Sequence, residues 1–455
     1  MNRWVICSLV MVVTCCAWSG PAQSADKTLP PLGKMELADG DTVVFLGDSI
    51  THQCLYTQYV EDFFYTRFPR KQIRFHNAGV GGARAWDALQ RFERDVAAYK
   101  PKYVTVLLGM NDGRYQPYQE DIFRNYHRDM QLLIGHIEQT QAIPVLMTPT
   151  MFDSRAARLG KRKHAPEKLE LYNSVLAYYG TWLREVAVER GFGFVDMYGP
   201  LNQITLHTRK SQPDFTLIAD AVHPGPSGQL VMAYALIDDM GLRGPLSNIR
   251  IVRGADGQSP TTKVSGGSIS NLKFTDDGVA FTWQANGLPW VVPEAAQQGA
   301  KLVKLGHRAS REALEIHGLQ PGMYQLSIDG RDVRKFDAVA LSRHVELQSL
   351  TTTPQYQQAL AVAEMNAERN AGPVRSLRNE WRVFQQMARV REQAKQSPDN
   401  KKLVAQAQET AQRTTGIEQR IQKHEADAQK MDAEIRKLAQ PKPRQYVLKR
   451  LEAAP

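Results

Sequence analysis

Five short strand candidates alternate with helical stretches between Asp41 and Gly241, and this alternation restricts the fold more than any other feature of the chain. The candidates are Thr42–Gly47, Gln72–Asn77, Tyr103–Gly109, Ala142–Thr148 and Gly193–Asp196. Helical stretches fall near 53–68, 84–98, 118–140, 167–190 and 226–240. Strands separated by whole helices pair through crossovers, which predicts an α/β domain built on a parallel, doubly wound sheet. Val43-Val44-Phe45-Leu46 has the continuous apolar character of a strand covered on both faces. It stops at Gly47-Asp48-Ser49, where an open α/β sheet offers its crevice at the carboxyl ends of the strands.

Four of the expected edge loops carry unusual residues. The first is Gly47-Asp48-Ser49, in which a serine on a strand-to-helix turn can be presented as a nucleophile or can simply cap the next helix. The second is Asn77-Ala78-Gly79-Val80-Gly81-Gly82, whose glycines let backbone N–H groups approach a ligand. The third is Gly109-Met110-Asn111-Asp112, with an amide able to donate. The fourth is Asp220-Ala221-Val222-His223-Pro224. Residues three apart on a helical turn face the same way, so Asp220 can hold the imidazole of His223 while that ring reaches a hydroxyl. By itself the segment reads rather as a surface turn with a capping Asp and a solvated His.

The four segments occur in order, and together they resemble the SGNH (GDSL-type) hydrolase superfamily over about Met35 to Gly241. The resemblance implies a flavodoxin-like sheet and esterase-type activity. It matches Ser49 to the nucleophile, Asp220 and His223 to the rest of a triad, and Gly82 and Asn111 to the oxyanion donors, with the N–H of Ser49 completing the hole. It also implies a small acyl ester, acetyl above all, on a carbohydrate. A lipid esterase of the lysophospholipase or thioesterase type shares the same residues. From another class, a non-catalytic envelope or polysaccharide-binding protein with a vestigial triad also fits. The expected chemistry calls for no metal or cofactor, and the sequence offers no convincing ligand cluster.

Neighbouring residues have plainer readings beside the functional ones. His52 can line the pocket or pack in a loop. Asp48 and Asp112 are expected to fix turns. The basic run from Arg155 to His164 follows the fourth strand and so lies on the crevice side. It reads as a solvated charge run, or, through Arg158, Lys161 and Arg162, as an attractor for acidic substrates.

The amino terminus has the form of a secretory signal peptide over residues 1–25: Met1-Asn2-Arg3, an apolar Trp4 to Ala17, and small residues at Ala22-Gln23-Ser24-Ala25. Export, periplasmic or secreted, is therefore expected, with no membrane-spanning segment after cleavage. A lipid anchor on Cys15 or Cys16 lacks the usual flanking context. Of the 4 cysteines, Cys54 is the one outside this leader, which excludes an internal disulfide and suits a small buried hydrophobe. The formal net charge is +10, or +9 once Arg3 leaves. In an exported chain without a nucleic-acid module, such charge suits an anionic polysaccharide or cell envelope.

The hydrolase domain is assigned to residues 35–242. Residues 246–345 read as a small β-rich accessory domain, with a hairpin at Asp329-Gly330 and with Trp283 and Trp290 as core residues. Residues 353–455 read as a helical, coiled-coil region. Val374, Leu377, Trp381 and Phe384 form a stripe able to dock on another surface. Ile417, Ile421, His424, Ala428, Met431, Ile435 and Leu438 form a weak heptad seam, suited to a helical pair or to self-association. None of the residues after 246 reads as catalytic.

Overall fold

The computed structural model describes residues 32–160, 166–255 and 258–452. The expected leader, and Lys161 and Arg162 of the basic run, lie outside the described residues. Strands β1 (Thr42–Gly47), β2 (Arg74–Gly79), β3 (Tyr103–Leu107), β4 (Ile143–Met147) and β5 (Gly193–Val195) form one sheet in the order β2-β1-β3-β4-β5. Every pairing is parallel, which is the flavodoxin-like order. β1 and β3 are buried along their whole length, as their unbroken apolar runs require. The direction of winding reverses between them, so the crevice opens beyond Gly47 and Leu107.

The β-rich region is two sheets around a second core. β6 (Ser247–Val252), β7 (Thr261–Ser265), β10 (Glu312–His317) and β13 (Val345–Glu346) pair in the order β13-β10-β6-β7. β8 (Gly267–Thr275), β9 (Gly278–Ala285), β11 (Met323–Ile328), β12 (Arg331–Asp337) and β14 (Arg444–Arg450) pair as β12-β11-β14-β9-β8. Asp329 and Gly330 both have positive φ, 51° and 74°, which is the backbone of a tight hairpin between β11 and β12.

β14 corrects the expectation of a helical region running to residue 455. Helix stops at Leu438, and Arg444–Arg450 is a strand in which Tyr446 and Leu448, two apart, are buried while Val447 between them is only half-buried. Tyr446 and Leu448 point into the second core and pair across to Phe281 and Leu326 respectively. The helices Pro354–Arg369, Arg375–Gln396, Lys401–Arg413 and Ile417–Leu438 are therefore an insertion between β13 and β14.

This insertion packs back on the α/β domain. Leu377, Trp381, Ile417 and Ile421 belong to the same core as the parallel sheet, and so does Trp290. Ile435 meets Tyr65 and Val362, and Ala428 meets Cys54 and Val374. The heptad seam is thus satisfied within the chain. Helix Leu55–Arg67 is buried at every position from Tyr56 to Thr66, because the insertion covers the face that would otherwise meet water. Its acidic residues gain partners there: Glu61 accepts from Arg369 at 3.1 Å and Asn370 at 2.7 Å, and Asp62 from Asn366 at 2.8 Å.

Asp95 ties the two parts together. Arg378, from helix Arg375–Gln396, donates to both carboxylate oxygens at 2.9 Å. Arg91 reaches the same carboxylate at 2.5 Å and the Ala78 carbonyl at 2.7 Å. The Arg91, Arg378 and Asp95 side chains are all 0 % exposed. His76 completes the group at 3.0 Å, and burial, with Arg378 and Arg91 beside it, pushes its pKa down to about 4. Two guanidinium groups thus share one carboxylate. Asp95→Asn leaves both unpaired and is expected to cost about 3–5 kcal/mol. Arg378→Met leaves a balanced Arg91–Asp95 pair and costs less. Urea unfolding of both variants checks the order, and equal losses would contradict this charge balance.

Candidate active site

Asp48, not Ser49, caps the short helix Ser49–His52: its Oδ1 accepts from the Ile50 N–H at 2.9 Å. Ser49 is left at the first helical position with its hydroxyl free to face the crevice. That hydroxyl lies 2.8 Å from His223 Nε2, and His223 Nδ1 lies 2.7 Å from Asp220 Oδ2. The other carboxylate oxygen of Asp220 accepts the N–H groups of Val222 at 3.0 Å and His223 at 2.7 Å. The segment is therefore a turn closed on the Asp220 side chain, with Ala221 at φ 72°, and not the helical turn that its spacing suggested. Partial burial raises the Asp220 pKa, but these N–H donors and the imidazole outweigh it and hold the carboxyl below its ordinary range. Ser49, His223 and Asp220 thus form one hydrogen-bonded relay, assembled from loops 174 residues apart.

The glycine loop after β2 lies against the same helix. A Cβ on Gly79 would sit 2.4 Å from the His52 nitrogen, so glycine is required for that approach. Asn77 locks the junction, donating to the Thr51 carbonyl at 2.8 Å and to Thr57 Oγ1 at 3.1 Å while its own oxygen accepts from the Gly79 N–H at 2.9 Å. Gly82 has φ 70°. Among the described residues, the N–H groups of Ser49 and Gly82 have no backbone acceptor. Gly81 differs, because its N–H donates to His52 Nδ1 at 3.1 Å.

Asn111 bridges the loops. Its Nδ2 donates to the Ala83 carbonyl at 3.1 Å and to Asp48 Oδ2 at 3.3 Å. Its Oδ1 accepts from the Tyr115 hydroxyl at 3.1 Å, which fixes the orientation of the amide. Asp112 closes the same turn through the Ala85 and Gly109 N–H groups at 2.9 and 3.0 Å. Burial pushes the carboxyls of both Asp48 and Asp112 up to about 7. Tyr115 escaped the sequence reading. Its contact depends on left-handed backbone at Arg114 and Tyr115, φ 56° and 53°, which no residue type there announces.

The remaining expected residues fall outside the relay. His52 holds the glycine loop, as described. Arg158, on helix Ser154–Leu159, is paired with Glu170 at 3.1 Å, so its charge is matched locally. Among the described residues, no group of three or more His, Cys, Asp or Glu could hold a metal ion, and no helix is long and apolar enough to cross a membrane.

The sheet order and the four loops meeting at its carboxyl edge define an SGNH-type hydrolase domain. Residues 45–231, under half of the 455, match the model of the GDSL-like lipase/acylhydrolase family, and the α/β domain is similar to that family. An acetylxylan esterase of Geobacillus stearothermophilus is 25% identical over 229 residues, covering 46% of this chain and 97% of the relative. The structure of a gut microbial diltiazem-metabolizing enzyme superposes with a TM-score of 0.75 at 24% identity, covering 92% of this chain and 100% of the other. That likeness is one of fold, and it takes in the β-rich and helical regions.

Burial, with Arg378, Arg382 and Arg375 beside the ring, pushes the His52 pKa down to about 4. The unfolded ring titrates near 6.5. The neutral-ring contribution to stability is therefore complete above about pH 6.5 and is lost as pH falls toward about 4. His52→Asn keeps an acceptor for Gly81 without that titration. Its melting temperature should fall less than the wild type's between pH 7 and pH 4, as followed by circular dichroism.

Proposed function

We propose that the protein is an exported serine esterase that removes small acyl groups, acetyl above all, from a carbohydrate. The observation that carries this reading is the unbroken Ser49–His223–Asp220 relay at 2.8 and 2.7 Å. In the first half-reaction His223 Nε2 takes the Ser49 proton as the hydroxyl oxygen attacks the ester carbonyl. Asp220 holds the proton on Nδ1, so that Nε2 is the basic nitrogen, and it stabilises the imidazolium that forms. The N–H groups of Ser49 and Gly82 stabilise the developing oxyanion, a donor of this kind being worth about 3–4 kcal/mol. The Asn111 amide joins them when its longer bond to Asp48, 3.3 Å, gives way to the substrate oxygen. His223 then passes its proton to the departing sugar oxygen, which leaves the acyl group on Ser49. Water, deprotonated by the same imidazole, releases the carboxylic acid and restores the hydroxyl.

The carbohydrate part of the reading is supported by the relative named as an acetylxylan esterase. Export is supported by the amino-terminal residue pattern. The basic net charge of +10 favours polysaccharide bearing acidic groups.

Acetate release from acetylated xylan and from acetylated uronate-containing polysaccharides is the direct test. Wild-type protein should release acetate, and Ser49→Ala should lower the rate by at least about 10⁴-fold. Asp220→Ala should lower it by about 10³–10⁴-fold. Rates on nitrophenyl esters that rise with acyl chain length would turn the reading to a lipid esterase. Absence of any Ser49-dependent hydrolysis would leave a binding protein.

A further inference from the structure

Helix Arg375–Gln396 lies across the glycine loop that follows β2. Gln385, 4 % exposed, donates from Nε2 to the Gly81 carbonyl at 3.0 Å. Arg389, one turn along the same face, donates from Nη2 to the Gly82 carbonyl at 2.6 Å. Its Nε and Nη2 also grip the two carboxylate oxygens of Asp87, both at 2.6 Å. Two successive peptide carbonyls are thus held by one helix that lies 300 residues further along the chain.

A peptide unit is planar, and all described bonds are trans. The Gly81 carbonyl and the Gly82 N–H therefore belong to one rigid plate and point in opposite directions. Holding the carbonyl toward the helix turns the N–H away from it. Sterics provide no substitute: Gly82 sits at φ 70°, with open space where a Cβ would be. A glycine loop of this kind can rotate its peptide plates at little cost. The preceding plate is fixed through the Gly81 N–H and His52, and the following one through the Ala83 N–H and the Val80 carbonyl at 3.1 Å, but neither bond belongs to the plate that carries the Gly82 N–H. Gln385 shows a further sign of this role. Its Oε1 is buried with no partner among the described residues, and the reversed amide would set that oxygen against the Gly81 carbonyl. The side chain is kept in place by its donor, at the cost of an unmet acceptor.

We propose that Gln385 and Arg389 are positioning residues that aim the Gly82 N–H as an oxyanion donor, so that the helical insertion forms part of the hydrolytic apparatus. The inference rests on the esterase reading above. A carbonyl that accepts a hydrogen bond also polarises the N–H of its own plate, so Gln385 both orients and strengthens the donor. Its effect belongs to the transition state, where the oxyanion exists, and not to substrate binding.

The test is steady-state hydrolysis of nitrophenyl acetate by the full chain, with kcat expressed per serine titratable by a phosphonate so that unfolded protein is not counted. Gln385→Leu and the near-isosteric Gln385→Glu, which cannot donate when ionised, should lower kcat by about ten- to a hundredfold with KM changed less than about twofold. Arg389→Lys keeps a cationic donor and should retain more activity than Arg389→Met. Gln386→Leu, on the neighbouring exposed face, should leave both constants unchanged. Full kcat in both Gln385 variants overturns the proposal, and so does a loss carried by KM. Wild-type protein without Ser49-dependent hydrolysis would instead remove the esterase reading and this inference with it.

Discussion

Burying one carboxylate between two guanidinium groups is the constraint on which the rest of the structure depends. Asp95 closes the helix that follows the glycine loop, and Arg91 on the same helix touches the carbonyls that end β1 and β2. Arg378 arrives from the helical insertion and occupies the other side of the same carboxylate. In a medium of low dielectric the carboxylate cannot be withdrawn without leaving both guanidinium groups uncompensated. The carboxyl edge of the sheet and the insertion are therefore held at one separation. That separation is what brings Gln385 and Arg389 within reach of the glycine loop.

The crevice itself is built by short polar side chains that satisfy their own turns. Asp48, Asn77, Asp112 and Asp220 each accept backbone N–H groups within a few residues. Asp112 and Asn77 also bond the neighbouring loop. Each turn is thereby rigid before substrate arrives, and rigid donors lose little on reorganisation when charge develops. The N–H groups of Ser49 and Gly82 are left unclaimed by this scheme, whereas that of Gly81 is taken by His52. One carboxylate, that of Asp220, serves turn and relay together, with one oxygen on each.

The helical region, read from sequence as running to residue 455, is fastened at both ends. β13 delivers the chain into it and β14 returns the chain to the middle of a sheet, between β9 and β11. A free tail would pay the full entropy of docking, whereas a segment anchored at both ends pays only for closing a loop. The same closure accounts for buried polar residues on helix Leu55–Arg67 that look misplaced in an isolated amphipathic pattern. Glu61 and Asp62 face Arg369, Asn370 and Asn366 across the interface.

Local chemistry made much of this legible. Apolar runs of strand length announced the parallel sheet because its strands are covered on both faces, and Gly-Asp-Ser, the glycine loop, Gly-x-Asn-Asp and Asp-x-x-His marked its edge because those turns need those residue types. The stripe of Leu377 and Trp381 announced a docking face without saying on what. Tertiary structure alone decided the rest. It chose the partner of that stripe, set β14 within a sheet, fixed Asn111 through Tyr115, and gave the glycine loop its grip from Gln385 and Arg389. The physical reason is range: turn and strand preferences act over a few residues and are written in the local chain, whereas the pairing of a carbonyl near residue 81 with an amide at 385 exists only once two distant surfaces have met.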